Sequence, residues 1–117
     1  MPHYQEWLER MKQAWETKDY EMLSSMFPQN LTYFESPFLP PLTTKQQVVD
    51  QWKKDLDKQQ DIHFNYKILY EDDQHCFANW SASFVRENAT VELNGVFHFK
   101  LDADNRCEYF KHWWVVK

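Results

Sequence analysis

Between Pro2 and Thr17, apolar residues recur at Tyr4, Trp7, Leu8, Met11, Ala14 and Trp15. That spacing lines one face of an α-helix, and Gln5, Glu6, Glu9, Arg10, Lys12 and Gln13 supply the polar face. Lys18-Asp19 breaks the pattern. Asp19 is placed to cap a second, short helix through Tyr20, Leu23 and Phe27, which Pro28 stops. Leu31 to Glu35 is rich in β-forming side chains and predicts a strand. Three prolines, Pro37, Pro40 and Pro41, stiffen the loop behind it. A third helix then opens on a capping box, either Thr43 with Gln46 or Thr44 with Gln47. Its apolar face is Val48, Val49, Trp52 and Leu56. The helix-spaced Trp7, Trp15 and Trp52 are expected in the core.

The pattern then changes period. Four strands are predicted at about Ile62–Tyr70, His75–Arg86, Thr90–Leu101 and Arg106–Val116, separated by turn-forming residues at Glu71–Asp73, Glu87-Asn88 and Asp102–Asn105. Links this short imply an antiparallel meander. Alternation is clearest in the third, where Val91, Leu93, Gly95, Phe97, Phe99 and Leu101 share one face. Asn94-Gly95 is also a hairpin signal. Because the alternation stays in register across it, a kink or bulge in one long strand is the preferred reading. Helices followed by a long sheet describe a single α+β domain over residues 1–117. Its helices lie on one face of a strongly bent antiparallel sheet, with a cavity between.

Three stretches carry a resemblance: Tyr33 to Leu42 ahead of a helix, Asp61 to Leu69, and Glu92 to Cys107 leading into Phe110–Trp114. With the element order, they resemble the cystatin-like cone of the nuclear-transport-factor-2-like superfamily, and more closely its SnoaL-like branch. The resemblance spans essentially the whole chain. It implies fold rather than reaction, since the scaffold hosts isomerases, dehydratases, epoxide hydrolases, cyclases and non-catalytic binding domains.

Composition and charge narrow the partners. Aromatic residues make up 18% of the chain, with six Trp, six Tyr and nine Phe, enough to fill a core and line a pocket. Thirteen basic against eighteen acidic residues leave a net charge of −5, which argues against nucleic acid or an anionic membrane. No apolar stretch approaches the ~20 residues of a spanning helix, and the start of the chain lacks the pattern of a signal peptide. A cytoplasmic location is expected. Cys76 and Cys107 stand outside any CxxC and read as buried thiols, left unbridged because one strand separates theirs. No metal-ligand spacing, cofactor motif or GxSxG setting occurs.

Two groups remain as candidate catalysts. In ketosteroid isomerases of this scaffold a carboxylate base immediately precedes a proline at the end of the first strand. Here Ser36 precedes Pro37 and the carboxylate, Glu35, is one place earlier. A one-residue offset reverses the face, so Glu35 either enters the cavity or meets solvent. The places of those enzymes' oxyanion-hole donors hold Met11 and Phe97, which cannot donate, so steroid-isomerase chemistry is not expected. His112 shares a strand face with Phe110 and Trp114. Among aromatics it is either a general base of lowered pKa or a core histidine satisfied by a hydrogen bond. His63, His75 and His98 fall on the outward register. Trp80 faces inward with the small Cys76, Ala78 and Ala82. Trp15, Tyr33, Trp80, Phe97, Phe110 and Trp114 are the expected pocket lining.

Two functions fit. One is a protein that binds a small hydrophobic molecule in the cone, with a cofactor-independent isomerase, cyclase or dehydratase type of activity. The other is a non-catalytic dimerisation or interaction module. A homodimer is expected in either case, paired through the outer sheet face around Phe77, Val85, Val96 and His98.

Overall fold

The computed structural model describes residues 1–117. Helix α1 spans Tyr4–Thr17 and buries the six apolar residues of its stripe. It ends where Lys18 turns left-handed, with φ 56°, and caps the last carbonyls. Helix α2, Tyr20–Ser25, starts on Asp19, whose side chain accepts from the Met22 N–H at 3.0 Å. Helix α3, Lys45–Leu56, opens on the capping box of Thr44 and Gln47, so the second of the two candidate boxes forms.

The strands are β1 (Asn30–Phe34), β2 (Leu42–Thr44), β3 (Gln60–Glu71), β4 (Cys76–Arg86), β5 (Ala89–Leu101) and β6 (Cys107–Val116). They make one six-stranded sheet in the order β2-β1-β6-β5-β4-β3. The four long strands form the antiparallel meander. The sheet is nevertheless mixed: β1 runs parallel to β6, with Tyr33 opposite Phe110 and Phe34 opposite Lys111. Strand β2 has no periodicity of its own to reveal it. Three residues are too few to alternate, and it forms because the proline loop folds the chain back against β1, with Tyr33 opposite Leu42.

Gly95 lies within one continuous β5, and neither neighbouring ladder shifts register there. Neither a hairpin nor a bulge forms. A side chain is excluded for another reason: a Cβ on Gly95 would lie 1.9 Å from the Trp113 carbonyl oxygen and 2.9 Å from Trp80 Nε1. The glycine lets β6 and the Trp80 indole approach closely.

Twenty-six buried residues form one core between helices and sheet. At its centre the Trp7 indole stacks on Phe99, centroids 4.8 Å apart, and meets Phe27 edge-on at 5.9 Å. Its N–H donates to the Met26 carbonyl at 3.1 Å, so the burial leaves no polar atom unpaired. Burying each Phe-sized side chain contributes about 1.5–3 kcal/mol. Cys76 and Cys107 are free and buried, on β4 and β6 with β5 between them. No helix is long and apolar enough to cross a membrane.

Candidate functional site

The core does not fill the cone. Toward the C-terminal ends of α3, β4 and β6, a cavity of about 330 Å³ remains, at the small end of the range for small-molecule sites. Trp15 from α1, Tyr33 from β1, Trp80 from β4, Phe97 from β5, and Phe110 and Trp114 from β6 all line it. Trp52 lines it as well, although its helical spacing suggested core alone. The two helix tryptophans do both jobs: Trp15 and Trp52 are 7% and 8% exposed and meet edge-on at 5.2 Å. The buried polar atoms of Trp15, Tyr33, Trp52 and Gln59 in the wall are already paired. Trp52 Nε1–H donates to the Tyr33 hydroxyl at 3.0 Å, and Trp15 Nε1–H to Gln59 Oε1 at 2.9 Å.

Two others are not. Trp80 Nε1 and His112 Nε2 are buried without a hydrogen-bond partner, and their rings lie 6.3 Å apart at the centroids. Both residues line the cavity. An unpaired buried donor or acceptor costs about 1–3 kcal/mol. Trp80 Nε1 lies against Gly95, 2.9 Å from where a Cβ would stand there, whereas His112 belongs to the cavity wall with no protein partner for Nε2.

His112 stands on β6 among Tyr33, Trp80, Phe97 and Phe110, with ring centroids between 5.5 and 6.3 Å. Burial in this aromatic setting disfavours the charged ring and lowers its pKa from 6.5 to about 4, against a backbone hydrogen bond with Glu35 that favours it. Glu35 follows the last residue of β1. Parallel pairing of β1 with β6 brings it level with His112, one step beyond the Phe34–Lys111 pair. Its side chain lines the cavity, whereas the Ser36 hydroxyl serves the loop, accepting from the Phe38 N–H at 3.4 Å. Burial, and then the charge of Asp55, raise the Glu35 carboxyl from 4.5 to about 7.

Asp55 was not legible as a site residue. It belongs to the last turn of α3, within a run of charged residues that reads as solvated face, yet it lines the cavity beside Lys58 and Gln59. Arg86, Phe84, Val91, Leu93 and Val116 complete the wall toward the mouth. His63 is exposed at 66% of its side chain. His75, just ahead of β4, and His98 on β5 lie beside each other, with ring nitrogens 3.2 Å apart, next in sequence to the buried Cys76, Phe97 and Phe99. No group of three or more His, Cys, Asp or Glu is arranged to hold a metal ion. Met11 and Phe97 are both buried in the apolar core.

A family model described as a SnoaL-like domain matches residues 8–109. Among solved structures, an NTF2-like protein of unknown function from Exiguobacterium sp. 255-15 superposes with a TM-score of 0.80 at 15% identity, covering 93% of this chain and 98% of that one. An LEH-like epoxide hydrolase from M. tuberculosis superposes with a TM-score of 0.74 at 13% identity, covering 94% and 80%. The epoxide hydrolase/cyclase-like enzyme SalBIII, which acts in pyran ring formation in the polyether salinomycin, gives 0.79 at 13% identity, covering 98% and 95%. These likenesses are of fold. No curated protein matches the chain in sequence.

Proposed function

The chain belongs to the SnoaL-like domain family, and from that premise we propose that it binds a small hydrophobic molecule in the cone and moves a proton on it without a cofactor, as an isomerase, cyclase or dehydratase would. The observation that carries this reading is the pairing of an acid and a base on one apolar wall. Glu35, raised to about 7, holds its proton below neutrality. His112, lowered to about 4, is a free base over the same range. Both forms therefore coexist between about pH 4 and pH 7, without either group having to charge the other. With the ring proton held on the side of the Glu35 backbone, His112 Nε2 accepts. A hydroxyl of the ligand satisfies that nitrogen by donating to it. Glu35 then returns a proton to the product as the general acid. The pairing of epoxide hydrolase and cyclase chemistry with this fold in other proteins is consistent with such acid–base work on a cyclic or carbonyl compound.

The test is direct. Tryptophan fluorescence during titration with a panel of hydroxylated and carbonyl-bearing ring compounds reports occupancy, because Trp15, Trp52, Trp80 and Trp114 all line the cavity. NMR titration of the five histidines is expected to show one ring titrating near pH 4 that His112→Gln removes. Turnover of any ligand found is expected to follow a bell-shaped pH profile with limbs near 4 and 7. His112→Gln and Glu35→Gln are each expected to lower kcat by about 10²–10⁴-fold. A panel that leaves the tryptophans unaffected favours the interaction-module reading instead.

We also infer that a second copy covers the outer sheet face. There Tyr70, Phe77, His98 and Tyr109 form a run of aromatic contacts, with Phe77 stacked on His98 at 4.4 Å. Tyr70 and Trp113 stay 56% and 39% exposed, a larger apolar surface than a free sheet face usually presents. Sedimentation at micromolar concentration that finds only a 14.4 kDa species sinks this inference.

A further inference from the structure

Resting on the reading of the cone as a small-molecule site, we propose that its ligand is an anionic amphiphile: an apolar body with an oxygen function at the inner end and a carboxylate, or an anion of like charge, at the mouth. The polar groups of the wall separate into two sets. Glu35, His112 and the Trp80 N–H lie among the aromatic rings. Lys58, just past the C-terminal end of α3, and Arg86, the last residue of β4, stand at the other end with Phe84, Val91, Leu93 and Val116.

Both cations are exposed, and neither forms an ion pair within the protein. Every acidic partner closer than 4 Å belongs to another cation: Lys12 to Glu16, Arg106 to Asp102 and Asp104, Lys117 to Glu92, and the histidines and N-terminus to their own. Asp55, which also lines the wall, keeps its charge but makes no ion pair with either cation; its oxygens accept from the Gln51 amide at 3.2 and 3.3 Å. Two unpaired cations at the opening of an apolar cavity run against the bulk of a protein whose net charge is −5. A low-dielectric wall focuses their field into the opening. An arginine can also hold a carboxylate by two parallel hydrogen bonds.

The mouth also explains where the apolar part of the ligand lies. Trp114 and Val116 face the cavity but stay 46% and 57% exposed. A flexible anionic chain leaving toward Lys58 and Arg86 covers these side chains with its methylenes. A compact neutral ring held only at the inner end leaves them wet.

The experiment compares matched probes by tryptophan fluorescence and calorimetry: ω-phenylalkanoates of increasing chain length, their methyl esters, and the corresponding amines. The acid of suitable length is expected to bind roughly 5–20-fold more tightly than its ester, since each partly exposed ion pair contributes modestly, and the amine more weakly than either. Raising salt should weaken the acid and not the ester. In the Lys58→Gln/Arg86→Gln variant the preference should vanish while the ester binds as before. Because both residues are exposed, that variant should fold as the parent does, and an unchanged melting temperature checks this. Equal affinity for acid and ester, a preference that survives the double substitution, or tighter binding of the amine each overturns the proposal while leaving the cavity as a binding site. Failure of acids, esters and amines alike to perturb the tryptophans overturns both, and so separates the two readings.

Discussion

The two halves of the same strands have opposite fates. On β5, Phe97, Phe99 and Leu101 point inward and are sealed, at 8% exposure or less, while Val91 and Leu93 on the same face are only half-buried. On β6, Phe110 is sealed at 1% and Trp114 and Val116 are open. Alternation is equally regular in both halves. The difference is what lies opposite. Trp7, Phe27 and Tyr4 fill the closed half, with Tyr4 edge-on to Phe99 at 5.7 Å, whereas the open half faces no helix side chain beyond Trp15, Trp52, Asp55 and Leu56. An apolar face thus becomes core or pocket according to its cover, and a sheet longer than its helices leaves a cavity lined by ordinary core residues.

The comparison breaks most sharply at Trp7. Trp7→Ala removes a fully buried side chain with its hydrogen bond to Met26, and about 3–5 kcal/mol of stability is expected to go. Chemical denaturation should show the variant largely unfolded or with a much reduced midpoint. Trp114→Ala, a residue of the same size and type on the open half, should change stability by less than about 1 kcal/mol and act on ligand affinity instead. Equal losses at the two positions would mean that the open half is packed by something other than a ligand.

Gly95→Ala lies at the boundary and should come next. Its Cβ meets Trp113 backbone at 1.9 Å, and backbone gives way less easily than a side-chain tip. A loss of about 1–3 kcal/mol is expected, together with a shift in the NMR signals of Trp80 and Trp114 as β6 moves off. A Gly95→Ala variant as stable as the parent would show that β5 and β6 can separate without cost.

A smaller effect tests the electrostatics of the open half. Glu35 binds its proton more tightly folded than unfolded, since its pKa is raised from 4.5 to about 7. The folded state therefore loses stability as pH rises from about 4.5 to about 7, and stays at the lower level above that. Glu35→Gln removes the loss, and the variant is expected to be more stable than the parent at pH 8 by on the order of 2 kcal/mol, with little difference at pH 4.5. His112 has the opposite sign. Its pKa is lowered to about 4, so stability falls as pH drops from 6.5 toward 4, and His112→Gln should flatten that limb. Parallel curves for parent and Glu35→Gln from pH 4.5 to pH 8 would mean that the carboxyl is solvated.

The periodicities of α1, α3, β4 and β5 were plain in the sequence because each has one wet and one dry face. Capping residues fixed the starts of α2 and α3 to within a residue. The partner of β1 was not legible: a five-residue strand has no property that distinguishes an antiparallel neighbour nearby from a parallel one at the far end of the chain. The same gap left the face of Glu35 undecided, since its orientation depends on where β1 ends against β6. Asp55, Lys58 and Arg86 carry no local signal at all. Charged residues at the end of a helix or strand look alike whether solvent or a cavity mouth lies beyond them, and only the closure of the cone separates the cases.

The parallel contact between β1 and β6 also sets the order in which the wall can be made. Thr32 pairs with Tyr109, so β1 has its long-strand partner only after the whole meander has been synthesised and folded. Closing so long a loop costs conformational entropy, which such a pairing recovers late. Glu35 comes alongside His112 through that same contact. Glu35 and His112 can therefore come together only once β6 has been made, and a chain with an intact β3–β6 meander but an undocked β1 lacks that pair.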